Sequence, residues 1–537
     1  MSVASRRALL LAGAALLAAP RLAKAQISTM DLAGMPLATK LDDTTAPGYR
    51  RDVLAFWGDR VAFDAPRFDP ANPTPQSAAT QFGWDARVAD LVVPPLGADG
   101  VPRGILAVAH PTVDPAMAFP GGMDRPAVAA GMQGASLLNV ERQGGRWIVV
   151  DGGYQSRRLH AGTPCRISGP AQAAGAVADN VEGVLAIAGG GATPWASLIL
   201  VEDDPSNWLG RLRDLGERFK DGTAFGWAIE LDPIDPQSTP IKRTALGRFP
   251  HGDAAAALTK DGKAVVYMTD RRAFGFLFRF ISADPATAPD ALDSGTLFVA
   301  KLEGLRLRWL ALPQATETLL NPVATAERLG ASSFDLPSGL ALSPRGALYV
   351  ACAGNAARQP GNTNALNPRA GSPDGHVIEI LPQGGDHGAE TASASVLFLA
   401  GSPANGGQYG RGAWNLDTAW PSKPSTIASD AQGRLWIGTD HEGVVGQAPD
   451  ALYACETEGP MRGVPLPVYG APRAAAVGGA AVTPDRTTVL SVVRTPGAEP
   501  GASYARPGTR WPSFQPNQPP RTAVIALVRE AGPPVGG

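Results

Sequence analysis

A chain of 537 residues with 47 basic and 49 acidic side chains carries a formal net charge of −2. So even a balance offers no basic surface for nucleic acid and no polybasic contact for a membrane. The 63 glycines and 50 prolines are spread along the chain rather than gathered in one linker, and length alone allows one large all-β domain or several smaller ones.

The first element is Ser5-Arg6-Arg7, followed by an uncharged apolar run from Ala8 to Pro20 and by Ala23-Lys24-Ala25. Paired arginines before a short apolar stretch and an A-x-A site predict a twin-arginine export signal, residues 1–25, cut after Ala25. The run is shorter than the ~20 apolar residues that span a bilayer. No second such run follows, so residues 26–537 are expected as one periplasmic or secreted domain, monomeric and without a transmembrane segment. Cys165, Cys352 and Cys455 form no C-x-x-C pair, so at most one disulfide is available, and all three also suit buried apolar positions.

A repeated unit then appears: apolar residues, a polar turn with Gly or Asp, and a β-rich run. It stands at Ala257–Tyr267, Leu340–Val350, Ile427–Ile437 and Ala481–Val493. Each copy reads as a tight hairpin, with Gly or Asp in the turn and alternating apolar residues forming one buried face. Helix is expected only at Glu217–Lys220 and Ala324–Leu329, and a long Gly/Asn/Pro-rich loop over Asn355–Asp386. Hairpins recurring along a chain fit the blades of a β-propeller with long inter-strand loops, whereas a sandwich or stacked barrels is the alternative. In a propeller the innermost strand of each blade lines one axis, so a site gathers single residues from distant segments.

Several segments, in shared order, resemble the PhoX family of bacterial alkaline phosphatases. They include Gly48-Tyr49-Arg50, Trp57-Gly58-Asp59, Phe68-Asp69-Pro70, Gln81-Phe82-Gly83 and Gly190-Gly191-Ala192-Thr193-Pro194-Trp195 with Glu202-Asp203. Gly226–Pro233, Gly295–Ala300, Asn367-Pro368-Arg369-Ala370 with Gly375-His376, and Gly433–Ile437 continue the series. The resemblance implies a six-bladed propeller, twin-arginine export, and hydrolysis of phosphate monoesters at a cluster of iron and calcium ions.

Where that family carries its ligands, this chain reads differently. The family cysteine falls on Ala188, N-H-E becomes Ala109-His110-Pro111, and K-H-E becomes Pro250-His251-Gly252. An acidic D-D-E-R stretch becomes Asp270-Arg271-Arg272-Ala273, D-R-P-E becomes Asp335-Leu336-Pro337-Ser338, and C-E-V-T-G becomes Ala475–Gly479. A guanidinium where a carboxylate is expected would repel a monovalent charge at ~4 Å by ~4 kcal/mol at an effective dielectric of ~20, and a polyvalent ion by more. The metal-ligand candidates that remain are Glu202, Asp203, Asp270 and His251. Arg271, Arg272 and Arg369 are the candidates for gripping an anion.

Three readings follow. One is a degenerate member that binds a small anionic ligand or phosphate ester without hydrolysing it. Another is an active hydrolase using a reduced calcium site at Glu202, Asp203 and Asp270, and the third is an interaction propeller of the cell envelope. No G-x-S-x-G, Walker or H-E-x-x-H motif points to other chemistry.

Overall fold

The computed structural model describes residues 35–410, 420–444, 448–532 and 534–536; the export signal lies outside them. Six strands line a central axis: β1 (Arg87–Val92), β2 (Ile187–Ala192), β3 (His251–Leu258), β4 (Pro337–Leu342), β5 (Pro424–Ser429) and β6 (Ala476–Val482). Each pairs antiparallel with the next strand of its own unit and packs beside the next inner strand, and β6 returns to β1, so the inner strands close a ring. The fold is all-β, a β-propeller. Two units share one nine-stranded sheet because their outer strands, Arg306–Ala311 and Thr391–Leu399, pair edge to edge. The unit that starts at β6 is completed by the early strand Tyr49–Phe56, which pairs with the late strand Ala523–Arg529 and stitches the ring shut.

All four repeats read from the sequence are inner hairpins: β3 with Lys263–Asp270, β4 with Leu348–Cys352, β5 with Leu435–Thr439 and β6 with Thr488–Arg494. One local device builds them. Oxygens of Thr259, Ser343, Asp430 and Thr483 accept the N–H of Lys263, Ala347, Arg434 and Thr488 across the turn at 2.9, 3.1, 3.0 and 3.2 Å. Such Asx- and Ser/Thr-turns fix the reversal before any tertiary contact forms. A fifth copy escapes the sequence pattern: Thr193 Oγ1 accepts the Ser197 N–H at 2.9 Å, but Pro194-Trp195-Ala196 replaces the Gly or Asp of the other turns.

The two expected helices fall on Arg218–Asp221 and Pro322–Arg328. Further helices at Pro75–Thr80, Pro126–Met132 and Ser206–Leu212 were not expected. With two turns or fewer, they are too short to display a 3.6-residue period. The loop read as Asn355–Asp386 is interrupted by strand His376–Pro382, whose apolar run pairs with both Leu348–Cys352 and Thr391–Leu399.

Apolar side chains fill the wedges between neighbouring units. Ile199 and Val201 meet Val266 and Phe278 in one wedge, and Val108 and Leu106 meet Leu490 and Val524 where the first and last units join. Trp195, Trp227 and Trp436 are fully buried in these layers, and the three cysteines are buried free thiols.

Near the axis the inner strands are also tied by charge. Asp253 of β3 accepts the N–H of Gly190 on β2 at 2.9 Å, of Leu340 on β4 at 3.0 Å and of its own neighbour Ala254 at 3.0 Å. One carboxylate therefore holds three adjacent units. Its loss strands three buried donors, each worth ~1–3 kcal/mol when unsatisfied. Asp253→Ala is expected to lower the free energy of urea unfolding by about 3 kcal/mol or more, and a change below 1 kcal/mol would show that the wedge packing alone sets the ring.

Candidate functional site

All six inner strands carry a β-bulge. Register shifts leave Ala89, Ala188, Gly252–Asp253, Ser338, Ser425 and Gly478–Gly479 without ladder partners. Bulges commonly re-aim a side chain beside a functional site. Three of the positions where the resemblance implies a ligand, Ala188, Gly252 and Ser338, fall on these bulges. Ala476 lies at the first residue of β6, just before its bulge. Four entries to the ring pass through non-glycine residues with positive φ: Ala186 (52°), Leu336 (55°), Lys423 (51°) and Ala474 (53°). Each such residue costs roughly 1–2 kcal/mol, so the ring is held in a backbone shape that local preference opposes.

Arginines occupy the centre of that shape. Arg87 of β1 is buried and donates from Nη2 to the bulge carbonyls of Ser425 at 2.9 Å and Ser338 at 3.2 Å, with Asp253 Oδ2 at 4.0 Å. Burial pulls the Arg87 guanidinium down to about 10 and pushes the Asp253 carboxyl up to about 6. Arg494, at the end of the strand paired with β6, forks onto Asp85 at 3.0 and 2.9 Å and reaches Asp440 at 2.6 Å. Arg87, Asp253, Asp85 and Arg494 were not singled out from the sequence. The available signal was a lone charge in an apolar strand, as in His251-Gly252-Asp253 followed by an alanine run and in Val492-Val493-Arg494.

The residues that were singled out are placed as follows. Glu202 is fully buried and saturated: Oε1 accepts the Leu185 N–H at 2.8 Å and Lys242 Nζ at 2.8 Å, and Oε2 accepts the N–H groups of Gly226 and Trp227 at 2.7 and 3.0 Å. Four donors fill the four lone-pair directions of a carboxylate, so no valence remains for a metal. Asp203 pairs with Arg271 Nη1 at 2.7 Å. Asp270 receives a two-pronged grip from Arg272 at 2.8 and 2.7 Å, and burial pushes its carboxyl up. Arg272 is thereby committed within the chain. Arg369 anchors backbone, donating to the carbonyls of Ala400 and Gly375, and Asp335 pairs with Arg358.

His251 and His376 are both buried with Nε2 unpartnered. His251 stacks on Phe249, and its Nδ1 bonds the Glu202 carbonyl at 3.1 Å.

Arg271 and Arg272 are both part-exposed, and Arg271 is the one beside a cavity. It lines a cavity of about 120 Å³ at the strand-entry face together with Ser338, Lys423, Ser425, Asp440 and Glu442. Its Nε has no hydrogen-bond partner. Arg87 lines a larger vestibule of about 420 Å³ that runs along the inner strands towards the hairpin turns, and its acceptors Ser338 and Ser425 line the mouth.

These residues do not fit an iron–calcium cluster. Calcium needs several free oxygen ligands and iron favours thiolate, imidazole or carboxylate. Among the described residues no group of three or more His, Cys, Asp or Glu is arranged to hold a metal, and Asp85, Asp203, Asp270, Glu202 and Asp440 are each already paired with a cation. Space is taken too. A Cβ at Gly252 would come within 2.8 Å of Thr269 Oγ1 and 3.1 Å of the Ser338 carbonyl, and one at Gly478 within 2.7 Å of Arg494 Cδ.

Burial drags the His251 and His376 imidazoles down to about 3 from an ordinary 6.5. Both are neutral when folded, so the stability they supply is complete above pH ~6.5 and is lost as pH falls towards ~3. Each contributes a slope of about 1.4 kcal/mol per pH unit inside that window. Urea unfolding at pH 7, 6, 5 and 4 is expected to give a shallower acid slope for His251→Asn than for the native chain, and identical slopes would contradict neutral burial.

A family model for alkaline phosphatase PhoX matches residues 32–497. Among solved structures the chain is similar to Pseudomonas fluorescens PhoX in complex with vanadate, a transition state analogue. The identity is 28% and the TM-score 0.84, over 94% of this chain and 99% of that one. A further structural match is the GH93 α-L-arabinofuranosidase of Fusarium graminearum with arabinobiose, at 10% identity and a TM-score of 0.34 over 89% of this chain and 98% of that one. No curated protein matches. With most of its length matched by the family model and its backbone superposing on a solved member, the chain belongs to the PhoX family.

Proposed function

We propose that this protein is a degenerate PhoX-family propeller, exported through the twin-arginine route to the periplasm as a monomer. In this reading it binds a small anionic ligand at the axial mouth and does not hydrolyse phosphate monoesters. One observation carries the proposal. At the strand-entry end of the axis five carboxylates are matched to cations of the same chain: Asp85 and Asp440 to Arg494, Asp203 to Arg271, Asp270 to Arg272, Glu202 to Lys242. A cluster of polyvalent cations needs uncompensated anionic ligands, because electrostatic stabilisation of a phosphoryl transition state by metals depends on holding them first.

Arg271 and Lys423 bring two cations to a mouth that Asp440 and Glu442 also line. Arg271 is half-buried with Nη1 on Asp203 at 2.7 Å, and Lys423 makes a loose 3.5 Å contact with the exposed Glu442. A guanidinium and an ammonium flanking two serines match a compact oxyanion or carboxylate.

The test uses purified mature protein. Metal analysis is expected to find neither iron nor calcium in stoichiometric amount, p-nitrophenyl phosphate to remain uncleaved, and millimolar phosphate to raise the melting temperature. Arg271→Met is expected to remove at least most of that rise. Stoichiometric metal with turnover would establish the reduced-site hydrolase instead. Metal-free protein indifferent to anions would leave the envelope interaction propeller.

A further inference from the structure

The bulges of β3, β4 and β5 create an oxygen-lined cradle on the axis. Its walls are the Ser338 and Ser425 carbonyls and the Asp253 carboxylate, and its contents are the Arg87 guanidinium. Neither carbonyl belongs to a regular ladder pair, because both residues are the bulged members of their strands. Backbone carbonyls freed by a bulge need a donor when buried. Arg87 comes from the far side of the ring, on β1, and is almost completely buried, so its charge is held there against a large desolvation cost.

Two neighbouring arginines, Arg271 and Arg494, disfavour a third positive charge on the axis, while Asp253 and Asp440 favour it. A long cation threaded into this position therefore satisfies specific oxygens and does more than fill space. It also lines the vestibule, while the two residues whose carbonyls it bonds line the mouth.

We infer that the Arg87 guanidinium is the resident cation of an oxygen-lined cradle on the propeller axis, supplied by the chain itself in place of an exogenous ion. The inference goes beyond the anion-binding reading, since the cradle holds a cation whether or not the mouth holds an anion. It assigns Arg87 a positioning role. By bridging β1 to β4 and β5, the guanidinium closes the ring opposite the Asp253 tie.

If charge and fork geometry matter, deleting the side chain leaves a cation-selective vacancy that a small guanidinium ion can refill. If Arg87 only fills volume, an apolar side chain of similar length serves as well. Full-length mature Arg87→Ala is expected to melt about 5 °C or more below the native protein. Millimolar ethylguanidinium should recover at least half of that loss, and tetramethylammonium at the same concentration should recover none. Arg87→Met is expected to melt as low as Arg87→Ala. Arg87→Lys, which keeps the charge without the fork, should fall between Met and the native protein.

Three results would overturn the inference: Arg87→Met as stable as the native chain, Arg87→Ala undiminished, or recovery by tetramethylammonium equal to that by ethylguanidinium. Should Arg87→Ala fail to fold, the ranking of Arg87→Lys above Arg87→Met still decides between charge and volume. The phosphate-induced shift of the native protein is read separately, so loss of the anion site and loss of the cation cradle are told apart.

Discussion

The structure depends on how buried charge is balanced where the six inner strands meet. A propeller brings the starts of its inner strands close to one axis, and here each start is bulged, which exposes backbone oxygens and nitrogens inside the protein. Those groups require partners. Asp253 takes the nitrogens of β2 and β4, and Arg87 takes the oxygens of β4 and β5. Arg494 ties the segment before β1 to the turn after the β5 hairpin through Asp85 and Asp440. With these residues in place the ring is electrostatically closed from within.

Closure from within separates fold from chemistry. The wedges of Val, Ile, Leu, Phe and Trp between units carry the fold and make no reference to what sits on the axis. At 28% identity to a solved PhoX the backbone still superposes over nearly the whole of both chains. On the axis, a glycine, a serine and an alanine stand at bulges where the resemblance implies ligands. The guanidinium groups of Arg87, Arg271 and Arg494 lie in the surrounding volume.

The architecture was legible because its signals are local. Turn residues at fixed offsets and short alternating runs mark the hairpins of β3 to β6, and four of them are visible by eye. The Thr193 turn was missed because proline, tryptophan and alanine disguise the same hydrogen bond. The site was less legible for a physical reason. Which cation meets which carboxylate depends on contacts across hundreds of residues, as with Arg494 and Asp85 or Arg87 and Ser425. Arg271 and Asp203 were both singled out, and the structure joins them. Glu202, one of the candidate ligands, is saturated by three backbone groups and a buried lysine, because its neighbours in space arrive from Leu185, Gly226, Trp227 and Lys242.

The bulges have one more consequence. A residue left out of the ladder can change identity without shifting the register of either neighbouring strand, so substitution there leaves the blade intact. Positions 89, 188, 338 and 425 are of this kind. The same irregularity that can aim a side chain at the axis also leaves that side chain free to differ without unmaking the blade.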